Sequence, residues 1–230
     1  MAEMLRDSDS SEKHLAVVWR HMRLCALIKG AAKLRVNITP AYERLAQCQS
    51  ETKKAVEAQE NARDVLTVRG YEAADLLRKT SDLARLADRE ATGNPVSAQI
   101  FKEGGFGVFL NSQGLCSAAS ARTVAQRIEN LGAGHSLAPQ KDELYAAEAA
   151  IIAAEQAFEA AVREKGVKHV EEELAQAALR KAYEDNSLDA RKELGKRVAE
   201  RLFPAIRKRA ANEEGESDEE KGEGSGDGKG

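Results

Sequence analysis

Residues 41–90 read AYERLAQCQSETKKAVEAQENARDVLTVRGYEAADLLRKTSDLARLADRE, and residues 140–184 read QKDELYAAEAAIIAAEQAFEAAVREKGVKHVEEELAQAALRKAYE. These two stretches decide the fold. Neither contains a proline, and their glycines, Gly70 and Gly166, stand alone. At 1.5 Å per residue they become rods of roughly 75 and 67 Å, against about 11–12 residues for an average globular helix. Two rods of similar length, joined by a segment rich in glycine and phenylalanine, predict an all-α, elongated antiparallel hairpin. The expected architecture is a coiled-coil-like bundle of four to five helices over residues 13–211. A flexible lead-in (1–12) and a disordered acidic tail (212–230) flank it.

Spacing within the rods supports this reading. Leu66, Arg69, Ala73, Leu76, Thr80, Leu83 and Ala87 step by three and four, as do Leu144, Ala147, Ile151, Ala154, Phe158 and Ala161. After Gly166 the apolar steps resume on Val167, Val170, Leu174 and Ala178, which predicts a register shift at that glycine.

Working outward, Leu15, Val18, Trp19, Met22, Cys25 and Ile28 give a first helix over 13–35 with a broad apolar face. Thr39-Pro40 predicts a restart, with the hydroxyl as cap and proline at the first helical position. Gly93-Asn94-Pro95 ends the first rod, and a Phe/Gly-rich connector fills 93–116. A helix over 117–131 follows, with Ser117 as cap; Gly132 and Gly134 stop it, and Pro139 opens the second rod. Asp185-Asn186-Ser187 predicts a break before a last helix over 188–210, kinked at Pro204. From 212 onward the chain is Gly, Glu, Ser, Asp and Lys, a composition that buries no core.

Aromatic residues make up 4% of the 230 and charged residues 32%, so the core must be slender and alanine-packed, without the bulk that walls a deep pocket. Cys25, Cys48 and Cys116 are odd in number and unpaired in spacing, which fits a reducing compartment. The most apolar early run, Leu15 to Ile28, is interrupted by Arg20, His21 and Arg23, so no transmembrane segment is expected. The opening residues lack a signal-peptide pattern, and the expected location is cytoplasmic.

Each catalytic motif the chain offers is incomplete. His14, His21 and Cys25 share a helix face, yet zinc needs three or four ligands and no matching pair lies elsewhere. No Glu-x-x-His pair exists for a di-iron bundle. Gly104-Gly105-Phe106-Gly107 lacks the lysine and hydroxyl of a phosphate loop, no Gly-x-Ser-x-Gly elbow occurs, and Ser50-x-x-Lys53 sits mid-rod alone. The expectation is no enzyme, no cofactor and no metal.

Two surfaces remain. Phe101, Phe106, Phe109 and Leu110 would lie near the hairpin tip, either exposed as a protein-docking patch or folded back as a plug. Arg191, Lys192, Lys196, Arg197, Arg201, Arg207, Lys208 and Arg209 would give phosphate-contacting charge, with the acidic tail as an internal competitor. The sequence therefore predicts a non-catalytic structural or scaffolding protein. It would bind a protein partner, or a second copy as a homodimer, through helical faces or the Phe-rich connector. The alternative is a nucleic-acid-associated protein using the basic terminal helices.

Overall fold

The computed structural model describes residues 4–90, 93 and 95–203. Among them lie six α-helices: α1 Ser11–Leu27, α2 Ala32–Glu90, α3 Val96–Ile100, α4 Ala118–Glu129, α5 Ala138–Leu194 and α6 Lys196–Leu202. A 3-10 turn, Phe106–Phe109, interrupts the connector, and no strand forms among the described residues. Helices α2 (59 residues) and α5 (57 residues) run antiparallel along their lengths. Lys79 meets Glu143 near one end (3.0 Å). The Thr52 hydroxyl donates to the Lys168 carbonyl further along (3.2 Å).

The rods are longer than expected because three punctuation marks act differently. Pro40 lies inside α2. Its missing N–H orphans only the carbonyl of Val36, an exposed residue whose carbonyl can turn to water, so the helix continues through it. The break falls earlier, at Gly30, whose φ of +88° closes α1 and turns the chain into α2. Asp185-Asn186-Ser187 continues α5, which ends at Gly195 (φ +80°). The tertiary structure uses this segment as helix: Asn186 donates to the Leu34 carbonyl (2.7 Å) and to His21 Nε2 (3.3 Å). The final helix is thus the short α6, and the expected kink at Pro204 and the tail at 212–230 lie outside the described residues. The lead-in is anchored where it is described: Leu5 is buried and Asp7 pairs with Arg180 (2.6 Å).

Two hydrophobic cores sit at opposite ends of the hairpin. The base core joins α1, the start of α2, the end of α5 and α6 around Leu34, Ile38, Leu45, Leu179, Tyr183 and Phe203. The tip core joins α3, α4 and the far ends of α2 and α5 around Leu77, Ile100, Val124, Ile128 and Leu144. Between them runs a two-helix neck. From Ala55 to Gly70 on α2, and from Ala154 to Ala175 on α5, no intervening residue is buried.

The neck also corrects the register expected after Gly166. Helix α5 keeps its inner face in phase through Lys168, Ala175 and Leu179, where Lys168 pairs with Glu51 (2.9 Å) and Glu171 (3.1 Å). Val167, Val170 and Leu174 face outward, at 57%, 54% and 66% exposure.

Candidate functional site

The connector folds back onto the hairpin instead of projecting from its tip. Asp88 near the end of α2 starts the reversal: its carboxylate accepts from the backbone N–H groups of Val96 and Ser97 and from the Ser97 hydroxyl. These donors, the Ser97 hydroxyl foremost, hold the Asp88 carboxyl below the usual range. Arg127 of α4 then fastens the next stretch. Its guanidinium donates to the Ile100 carbonyl (2.8 Å) and forks onto both Glu103 oxygens (2.7 and 2.5 Å). The same group lies over the Phe109 ring, 5.4 Å from its centroid.

A tight reversal follows. The Asn111 N–H donates to the Leu115 carbonyl, and its side-chain carbonyl accepts from the N–H groups of Gln113 and Leu115, all at 2.9 Å. Gly114, at φ +78°, makes the turn possible, and Leu110 bridges to Cys116. The loop docks on the neck at Gly70, whose carbonyl accepts from the Cys116 N–H (3.1 Å). A β-carbon at position 70 would come within 3.2 Å of the Leu115 side chain, so the lone glycine of the first rod is what lets the loop approach.

Together these contacts place the expected docking residues unequally. Phe101 is buried in the tip core and meets Phe109 edge-on, with centroids 6.0 Å apart. Phe106 is half-buried beneath Arg78, whose guanidinium lies 5.6 Å from the ring centroid. Phe109 and Leu110 are half-buried and line an open cleft of about 480 Å³ between connector and neck. Its apolar walls come from Leu66 of α2, Ile151 and Phe158 of α5, and Val108 and Leu115 of the connector. Arg63 and Glu155 stand at the polar rim with Ser117 and Ser120. The sequence pointed separately to helical faces and to the Phe-rich segment. The fold brings the two to one place, at the junction of neck and tip. What sequence reasoning missed is the loop around Asn111, and Asn-x-x-Gly was the available signal.

The basic candidates form a separate surface at the base. Arg191 and Lys192 in the last turn of α5, and Lys196, Arg197 and Arg201 of α6, are all exposed. Arg207, Lys208 and Arg209 lie outside the described residues.

Of the two histidines near the base, His21 has both ring nitrogens engaged and His14 has one. The Leu202 carbonyl can only accept, so His21 Nδ1 carries the proton that donates to it (3.0 Å), leaving Nε2 to accept from Asn186. Cys25 lies 3.5 Å from His21 Nε2, and burial pushes its thiol up to about 11, away from the thiolate a metal would need. His14 Nδ1 is bonded to the Ser10 carbonyl (2.9 Å). No group of three metal-ligating side chains occurs among the described residues, and no helix among them is long and apolar enough to cross a membrane.

No family model, curated protein or solved structure matches this chain.

Proposed function

We propose that this protein is a non-catalytic scaffold that receives a protein partner in the cleft where the connector meets the neck. One observation carries the reading: the cleft walled by Leu66, Val108, Phe109, Leu110, Leu115, Ile151 and Phe158 is open to solvent, with Val108 itself more than half exposed. An apolar floor with a polar rim suits an anchoring side chain from a partner, which desolvates the rings while its backbone meets the rim. The support beneath the cleft is firm, since Arg127, Asn111 and Gly70 each fix the connector by direct contact.

A photo-crosslinking residue placed at position 108 in cells tests this. The expected result is a discrete adduct with another protein, lost when Leu66→Asp charges the floor and not seen from exposed Lys54 on the neck. Equal labelling from positions 108 and 54, or none from either, would remove the cleft as a docking site.

Nucleic-acid association remains a second reading, supported by the exposure of Arg191, Lys192, Lys196, Arg197 and Arg201. It predicts binding to RNA or DNA oligonucleotides that fades steeply with salt, as displaced counterions drive it. A full-length chain that ignores both at low salt ends it.

A further inference from the structure

The base head ends in a cationic pole where exposed apolar side chains sit among the charges. The turn at Gly30 and the turn at Gly195 lie side by side there. Lys33 pairs with Glu193 across them (2.9 Å), and a β-carbon on Gly30 would touch Leu194 at 3.2 Å. Residues 19–36 carry Arg20, Arg23, Lys29, Lys33 and Arg35 without a single carboxylate. The opposite turn adds five further exposed cations from 191 to 201 against Glu193 and Glu200, and Lys33 already engages Glu193. Leu27, the last residue of α1, is 82% exposed, and Trp19 is 49% exposed. A concavity of about 270 Å³ walled by Trp19, Met22, Arg23, Ala26, Leu27 and Arg35 puts both kinds of group on one surface.

We infer that this pole docks on an anionic lipid bilayer, with its cations among the lipid phosphates and Leu27 and Trp19 entering the headgroup layer. The cations alone would answer a nucleic acid equally well. Leu27 favours the lipid surface, because a leucine side chain gains by leaving water for the acyl boundary and gains nothing along a phosphate backbone. Trp19 agrees: an indole held against Tyr42 (6.2 Å between centroids) with its other side wet suits the interfacial layer. The pole lies at the base core, away from the connector cleft at the tip, so a molecule docked on lipid keeps that cleft free.

Trp19 is the only tryptophan, which makes it the reporter. The full chain is mixed with phosphatidylcholine vesicles, with or without phosphatidylserine. Phosphatidylserine vesicles should sediment the protein and shift its emission to the blue, salt should reverse both, and phosphatidylcholine alone should do neither. Lys29→Glu should weaken vesicle binding about fivefold or more, at about fivefold per lost cation near an anionic surface. Leu27→Ser should weaken it severalfold; both residues are exposed, and helix content measured by circular dichroism should not change. No binding to phosphatidylserine vesicles, equal binding to both vesicle types, or binding indifferent to Leu27→Ser would overturn the inference. An RNA oligonucleotide that binds where vesicles do not would overturn it in favour of nucleic acid.

Discussion

His21 shows how a single buried residue ties four elements together. It sits on α1, donates to the carbonyl of Leu202 on α6, and accepts from Asn186 of α5, which also reaches Leu34 of α2. Phe203 lies against the ring at 4.3 Å and Tyr183 meets it edge-on at 5.4 Å. Its immediate surroundings, Cys25, Tyr183, Asn186 and Phe203, carry no charge to stabilise an imidazolium. Burial therefore lowers its pKa, against a smaller opposing pull from the Leu202 carbonyl. In the unfolded chain His21 titrates near 6.5, so its neutral form contributes fully above that pH, and the contribution is lost as pH falls below it. His21→Phe keeps the ring contacts but leaves an Asn186 donor and the Leu202 carbonyl unpaired, at about 1–3 kcal/mol near neutral pH. The gap between wild type and variant should narrow from about pH 7 to about pH 5, measured by urea unfolding. A gap that stays constant across that range would mean that His21 does not titrate on unfolding.

At the scale of an element, α5 carries two apolar stripes, and only one faces α2. Spacing alone cannot choose between them, since Val167, Val170 and Leu174 step as regularly as Ala154, Ala161 and Ala175 do. The choice falls to partners that a local reading does not see: Lys168 finds Glu51 on α2, and Leu179 finds the base core. Pro40 and Gly30 were ambiguous for a related reason. A proline suits the first turn of a helix as well as an exposed interior position, and a lone glycine can sit in a helix or end it. Boundaries set by local chemistry were readable: the Ser117 hydroxyl accepts from the Ser120 N–H (3.1 Å), and Gly132 leaves α4 at φ +97°. Leu179→Ala should cost about 2–5 kcal/mol. Val170→Ser and Leu174→Ser should each stay within about 0.5 kcal/mol of wild type in urea unfolding. If Leu174→Ser cost as much as Leu179→Ala, the helix would have turned its other stripe inward.

For the whole molecule, the unbroken rods determine shape. Helix α2, with 59 residues, is about 88 Å long, whereas a compact chain of this length has a radius of gyration of about 17 Å. Small-angle scattering should return a value above about 25 Å, and one near the compact figure would exclude an extended hairpin. This much was legible in the sequence, because proline-free heptads of such length allow little else. The candidate docking site was legible only in part. Phe109 and Leu110 were visible as apolar residues in a glycine-rich segment, but the cleft depends on Leu66, Ile151 and Phe158, which are remote in sequence. The division into two cores also bears on synthesis. Residues 73–151 contain every buried member of the tip core, whereas the base core needs residues 5–48 together with residues 175–203. A chain leaving the ribosome can thus close its tip while the first helix still awaits its partners. Throughout that interval Val17, Val18, Met22 and Leu34 lack the half of their core that residues 175–203 supply, so the newborn chain carries a sticky N-terminal fifth that the finished molecule hides.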